Sequence, residues 1–275
     1  MTVPIPFVKM SGAGNDFVVL DRETWDSISG NRAAWVRGVT RRGLSVGSDG
    51  VLVVERLADG RVGVLFLNPD GGEAFCGNGS RCAARFASER LGAPRSLILA
   101  TACGDVPARV DQGRVRLTLS PPVDLGERIL DAAGTTVRAR FVLTGVPHLV
   151  VSVSDVRGYP LDAIAPSLRR HLALGPEGAN VNVTSADGAG RLLVRTWERG
   201  VENETLSCGT GAVAAAFVAR LGGATETVEV VPAAGVPLRV TIAGDPAAPG
   251  VTWLEGDARF VFEGALSPEG IPEVV

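Results

Sequence analysis

Only one lysine (Lys9), one tyrosine (Tyr159) and two histidines (His148 and His171) occur among the 275 residues, so the chain draws its chemistry from a short list of reagents. A pyridoxal-phosphate enzyme needs a lysine for its Schiff base. Lys9 is the sole candidate, and it sits in a short apolar stretch with no phosphate loop near it. No two Cys or His residues have zinc-ligand spacing, since five residues separate Cys76 from Cys82, and no metal is expected. The Rossmann glycine fingerprint and the P-loop are both missing, so the expectation is chemistry without a cofactor. A formal net charge of −3 offers no basic surface for nucleic acid. The most apolar run, residues 212–219, is too short to span a bilayer, so no membrane partner is expected. Residues 1–14 hold Pro4, Pro6 and Lys9 and do not read as a signal peptide. A cytoplasmic protein is expected, with Cys76, Cys82, Cys103 and Cys208 as reduced thiols.

What is present is a duplication. Cys76-Gly77-Asn78-Gly79 precedes an apolar run that ends at Arg90-Leu91-Gly92, and Cys208-Gly209-Thr210-Gly211 precedes one that ends at Arg220-Leu221-Gly222. Each reads as a glycine-rich turn feeding a helix that stops at a glycine cap. Upstream lie apolar strands at 62–67 and 192–197, followed by Asn68 and Glu198; downstream, 102–110 resembles 233–240 as strand, glycine break and strand. Further strands are expected at 17–20, 51–54, 115–119, 228–231 and 260–262, and helices at 24–39 and 161–172. Pro121-Pro122 marks a junction. The sum is a mixed α+β chain, rich in strands, made of two similar halves from internal duplication. The domains are expected at 1–122, completed by the C-terminal segment 259–275, and at 123–258.

A cysteine at a glycine-rich helix start is where thiol chemistry becomes accessible. The open N–H groups and partial positive charge of a helix N-terminus favour a thiolate and also bind a carboxylate. Two such starts related by duplication supply a sulfur for either face of one carbon, the requirement of a two-base racemase. For a lone cysteine, core packing is the ordinary reading, and Cys82 and Cys103 are given it. The repeated Cys-Gly-polar-Gly reverses it for Cys76 and Cys208.

These residues carry a resemblance. Residues 7–17 (FVKMSGAGNDF), Asn68-Pro69-Asp70-Gly71, Cys76-Gly77-Asn78-Gly79-Ser80-Arg81-Cys82, Gly145-Val146-Pro147-His148, Asn180-Val181-Asn182, Glu198-Arg199-Gly200 and Glu204 to Gly211 resemble, in order, the motifs of the diaminopimelate epimerase family. The resemblance implies a fold of two pseudo-symmetric domains, each a mixed, largely antiparallel sheet wrapped around a central helix, and interconversion of LL- and meso-diaminopimelate in lysine and peptidoglycan precursor synthesis, without cofactor, by a homodimer. It implies that Cys76 and Cys208 exchange the proton, with His148 and Glu198 tuning them. It further implies that Asn15 lies in the pocket and that the amides of Gly77, Asn78, Gly209 and Thr210 hold the reacting carboxylate. Asn68, Asn180 and Arg199 are implied to hold the distal end. Without the resemblance, His148 reads as structural, Glu198 and Arg199 as a solvated pair, and Asn15 and Asn180 as turn residues.

Val146 stands where the family usually has Asn, Gly50 where many members have Gln, and spacing is altered between Asn68 and Cys76 and between Glu198 and Cys208. A racemase of another amino acid on the same scaffold is the first alternative. A thiol redox or binding protein, with Cys76 and Cys208 forming a regulatory disulfide, is the second.

Overall fold

In the computed structural model, residues 4–271 are described; the outermost residues of the expected first domain, 1–3 and 272–275, lie outside them. The chain packs as two compact units, one running to Leu117 and resuming at Gly256, the other Thr118–Glu255.

In the first unit, β1 (Ile5–Gly12) pairs antiparallel with β2 (Asn15–Asp21), and helices α1 (Arg22–Ser27) and α2 (Arg32–Thr40) cross over to β3 (Gly50–Arg56), parallel to β2. β4 (Val62–Leu67) returns antiparallel to β3 and pairs with the short β5 (Glu73–Ala74). Helix α3 (Gly77–Arg90) leads to β6 (Ser96–Thr101), parallel to β4, and β7 (Gly104–Asp111) and β8 (Arg114–Leu119) follow antiparallel.

The second unit repeats this pairing order. β9 (Val123–Ala132), β10 (Thr135–Thr144) and β11 (Val146–Ser152) are successively antiparallel, and α4 (Leu161–Arg169) crosses over to β12 (Asn180–Ala186), parallel to β11. β13 (Leu192–Glu198) runs antiparallel to β12 and pairs with β14 (Asn203–Thr205). Helix α5 (Gly209–Leu221) leads to β15 (Thr227–Pro232), parallel to β13, and then β16 (Leu238–Asp245) and β17 (Ala248–Asp257). Finally β18 (Arg259–Leu266) pairs antiparallel with β1, completing the first unit as β9 completes the second through β10.

The strand pairs β2/β3 and β11/β12 are covered on both faces; in the first pair this gives the continuous apolar runs 17–20 and 51–54, whereas the second pair carries His148 and Asn182 among its apolar residues. Val18, Leu20, Val51 and Val53 join Trp25, Trp35, Val36 and Val39 in one core. The opposite face meets α3, where a Cβ on Gly79 would lie 3.2 Å from Leu52 Cδ2. The second unit does the same, with Leu149, Val151, Val181 and Val183 against Leu161, Ile164 and Leu168 of α4. Helices α3 and α5 are buried along much of their length; α5 is built mostly of alanine, glycine and valine, whereas α3 buries Arg81 and Phe86 beside its small residues.

Three local expectations are corrected. The helix expected over 24–39 is two, because Gly30 adopts φ 81° and Asn31 restarts the helix by accepting from Ala34 N–H at 3.0 Å. The helix expected over 161–172 stops at Arg169, and a 3₁₀ turn capped by His171 follows. Cys103, expected in the core, is exposed in the turn between β6 and β7, where the strand breaks so that Gly104 can take φ 96°. Both helices stop at the expected glycines: left-handed Gly92 follows the Leu91 C-cap of α3, and Gly222 is the C-cap of α5, followed by left-handed Gly223.

Phe217 is the largest fully buried side chain of α5. Phe217→Ala is expected to cost about 3–5 kcal/mol, read as a lower urea midpoint at unchanged m-value.

Candidate functional site

Cys76 is the N-cap of α3, with φ −135° and ψ 112°, and its sulfur accepts the Gly79 N–H at 3.3 Å. The sulfur takes the place of the usual Ser or Asp oxygen at a helix start. Gly77, Asn78 and Gly79 therefore form the first turn of the helix itself rather than a turn ahead of it, so their amides point out of the N-terminus. A Cβ on Gly77 would meet nothing within 4 Å, which leaves that amide's surroundings open. Asn78 is clamped from two sides: its Nδ2 donates to Asn15 Oδ1 at 2.5 Å, and its Oδ1 accepts from Arg81 Nη2 at 2.8 Å. Asn15 in turn donates to Asp49 at 2.9 Å.

Arg42 bridges Asp49 and Asp16, and Lys9 pairs with Asp16 at 2.7 Å. Burial opposes ionisation of Asp16, but hydrogen bonds and charge from Arg42 and Lys9 outweigh it and hold the carboxyl below its usual value. The single lysine is thus spent on holding the β1–β2 corner.

Arg81 is fully buried on α3. Its Nε donates to the Asp257 carbonyl at 3.2 Å, and its Nη1 has no hydrogen-bond partner among the described residues. Burial pushes the guanidinium down from its usual value, opposed by Cys82, Asp257 and Cys76. It is a cation within electrostatic reach of both thiols of this helix. Burial pushes the Cys82 thiol up to about 12, with Arg81 opposing, so this sulfur stays protonated in the core.

Cys208 is the N-cap of α5, with φ −120° and ψ 114°, and its sulfur lies 3.5 Å from Thr210 Oγ1. Behind Thr210 is a buried polar string. His148 Nε2 is 3.0 Å from Thr210 Oγ1, His148 Nδ1 is 3.0 Å from Asn182 Nδ2, and Asn182 Oδ1 accepts from Thr196 Oγ1 at 2.9 Å. Burial pushes His148 down to about 3, and the Arg199 charge acts in the same direction.

Glu198 ends β13, where burial raises its carboxyl above the usual value while the Thr205 hydroxyl opposes. Asn180 Oδ1 accepts the Arg199 N–H at 2.7 Å, fastening Arg199 to β12. The Arg199 guanidinium pairs with Glu177 at 2.5 Å and lines a pocket of about 570 Å³ with Arg169 and Arg170. Asn68 opens the turn after β4, bonded through its backbone to Gly72 and Gly71.

Within the first unit, then, Cys76, Gly77, Asn78 and Asn15 form one connected group, while Asn68 stands at the end of β4. In the second, Cys208, Thr210 and His148 are linked directly with Gly209 between the first two, and Asn180, Glu198 and Arg199 gather at the β12–β13 end.

Strand register aligns the halves residue by residue. Phe17 pairs with Gly50 and Leu52 with Phe66; His148 pairs with Asn180 and Asn182 with Thr196. Phe17, Leu52 and Phe66 beneath the first helix start thus match His148, Asn182 and Thr196 beneath the second. On the helices the relation inverts, for Arg81 matches Val213, each five residues after its cysteine. Gly50 has a local cause: a Cβ there would lie 2.4 Å from the Phe66 ring and 2.6 Å from the Leu67 carbonyl. Sequence reading missed Arg81 and Asn182 as site residues. The signal for Asn182 is a second amide, two residues after Asn180, on the face of β12 that turns toward α5.

Among the described residues no group of three or more His, Cys, Asp or Glu gathers to hold a metal, and no helix is long and apolar enough to cross a membrane.

The sequence profile described as "Diaminopimelate epimerase" matches residues 7–122 and 140–261. A protein named diaminopimelate epimerase from Methanothrix thermoacetophila is 39% identical over 280 residues, covering 96% of this chain and 97% of the relative. One of the same name from Aquifex aeolicus is 38% identical over 276 residues, covering 96% and 98%. Among solved structures, a PhzF-family phenazine biosynthesis protein from Bacillus anthracis superposes with TM-score 0.70 at 15% identity over 97% of this chain and 100% of that one. A probable proline racemase from Agrobacterium radiobacter K84 gives 0.66 at 16% over 96% and 93%. These structures share the fold.

His148 supplies a pH signature. Its folded value, about 3, lies below the ordinary 6.5, so between those values the unfolded chain binds a proton that the folded chain refuses. The stability this provides is complete above pH 6.5 and is lost as pH falls toward 3, with a slope of up to about 1.4 kcal/mol per pH unit. Urea unfolding of the wild type and His148→Gln from pH 7 to pH 4 should converge as pH drops; parallel curves would contradict the buried neutral imidazole.

Proposed function

The chain belongs to the diaminopimelate epimerase family, and from that premise we propose that it interconverts LL- and meso-diaminopimelate without a cofactor, exchanging the α-proton between the thiols of Cys76 and Cys208. The observation that carries the reading is the repeated helix start: in each unit a half-buried cysteine caps a buried helix whose first turn is Gly-polar-Gly.

Removing the α-proton leaves a second negative charge beside the carboxylate, and preformed donors aimed at that charge lower the barrier. The amides of Gly77, Asn78, Gly209 and Thr210 are those donors, with the partial positive charge of two helix starts behind them. One sulfur begins as thiolate and takes the proton from one face; the other begins as thiol and gives its proton to the opposite face. Protonation is conserved over the turnover, and the sulfurs end with roles exchanged. Positive charge from Arg81 favours the thiolate at Cys76, and the Thr210 hydroxyl serves the sulfur of Cys208. Glu198, whose carboxyl burial raises above its usual value against the Thr205 hydroxyl, is suited to accept from the substrate's ammonium. Asn15 lies in the pocket, and Asn68, Asn180 and Arg199 hold the distal amino-acid end, the guanidinium matching a carboxylate in bidentate fashion.

The product is the lysine and peptidoglycan precursor, and the same reading carries a cytoplasmic homodimer acting on a small amino acid. Val146, half-buried at the start of β11 in place of a family Asn, favours one alternative: the same proton chemistry on another amino-acid side chain.

The test is incubation of the reduced protein with LL- or meso-diaminopimelate in D₂O, following the α-proton by NMR. Deuterium entry from both isomers is expected; none from either would sink the reading, and a panel of other amino acids would then address the alternative. Cys76→Ala and Cys208→Ala should each lower turnover by about 10²–10⁴-fold, while Cys82→Ala retains it.

A further inference from the structure

We propose that Asn182 is a positioning residue that fixes His148 as a neutral imidazole with its proton on Nε2, so that the Thr210 hydroxyl donates to the Cys208 sulfur. The inference rests on the epimerase reading for its purpose, though its geometry stands apart from any substrate.

The direction of each hydrogen bond follows from groups that have only one role. The Leu149 carbonyl can only accept, and Asn182 Nδ2 lies 3.4 Å from it; the amide oxygen on the other side accepts from Thr196 at 2.9 Å. The amide nitrogen that faces Leu149 also faces His148 Nδ1 at 3.0 Å, so Nδ1 accepts. A neutral imidazole then has its one proton on Nε2, which donates to Thr210 Oγ1 at 3.0 Å. With its oxygen accepting from the ring, the Thr210 hydroxyl has its own proton to give, and the Cys208 sulfur is 3.5 Å away. An imidazolium would need an acceptor at Nδ1, and an amide NH₂ is none. Burial and the Arg199 charge also disfavour the cation. His148 is accordingly a fixed donor in this string and does not relay the reacting proton.

The string is more than packing. The matched positions of the first unit, Phe17, Leu52 and Phe66, fill the same places with apolar side chains, two of them in edge-to-face contact with ring centroids 5.9 Å apart. The fold does not require polar atoms there. Against the second helix start, the string is held closely: a Cβ on Gly211 would lie 2.3 Å from Asn182 Oδ1.

With only two histidines in the chain, long-range ¹H–¹⁵N NMR of the ¹⁵N-histidine protein is readable, and His171→Gln assigns the pair. Wild-type His148 should show one protonated nitrogen, Nε2, unchanged from pH 5 to pH 9. In Asn182→Asp the carboxylate accepts from Nδ1–H, the proton moves to Nδ1 or the ring becomes cationic, and kcat falls about tenfold or more while KM changes little. A wild-type His148 that titrates between pH 5 and pH 8, or that carries its proton on Nδ1, would overturn the proposal. So would an Asn182→Asp protein with the wild-type tautomer. The wild-type spectrum decides even if the variant does not fold, and it reads the same whether or not diaminopimelate is the substrate.

Discussion

A helix start has several N–H groups without backbone acceptors, and their cost depends on what faces them. In this chain both central helices have buried bodies and begin at a cysteine. Satisfying those amides shapes most of what surrounds them. Gly79 donates to the Cys76 sulfur. Glycine at 79 and 211 lets the strands close against the first turn, where a Cβ would meet Leu52 at 3.2 Å or Asn182 at 2.3 Å. The Asn15–Asn78–Arg81 clamp holds the first turn in place. Amides left facing outward at a helix start are suited to an anion. In the proposed reaction, the geometry that resolves a folding problem also serves to acidify the substrate's Cα–H bond.

Duplication gives two copies of that start, and divergence has made them unequal. Beneath Cys76 the sheet is apolar and the charge comes from the helix, through Arg81; beneath Cys208 the helix carries Val213 and the sheet supplies His148, Asn182 and Thr196. A two-base reaction needs one protonated and one ionised sulfur at each moment. Two identical sites would share the proton by symmetry alone. In the proposed reaction, the buried Arg81 cation serves the sulfur of Cys76 and the neutral donor string serves the sulfur of Cys208.

Much of this was legible in the sequence. Strand alternation and the repeated Cys-Gly-polar-Gly showed the duplication, because periodicity and glycine placement are local properties. The split between α1 and α2 depended on one left-handed glycine inside a plausible helical run, and the exposed turn at Cys103 on another. Arg81 stood in the sequence only as part of the motif after Cys76; the strands around α3 bury it. Gly50 reads as a family departure and becomes intelligible when the Phe66 ring is seen filling its side-chain space. Asn182 was visible within Asn180-Val181-Asn182, but its role required the register that pairs it with Thr196 and sets it beside His148.

The central claim is that two different sulfurs serve the two faces of the α-carbon. Its most direct measurement is the isotopic content of substrate and product at low conversion, when LL-diaminopimelate is turned over in D₂O. The account predicts deuterium at the inverted carbon of the product while recovered substrate keeps its hydrogen, because the donating thiol has exchanged with solvent and the accepting one holds the substrate's proton. Product that retains the original hydrogen would show a single group serving both faces, and would contradict it.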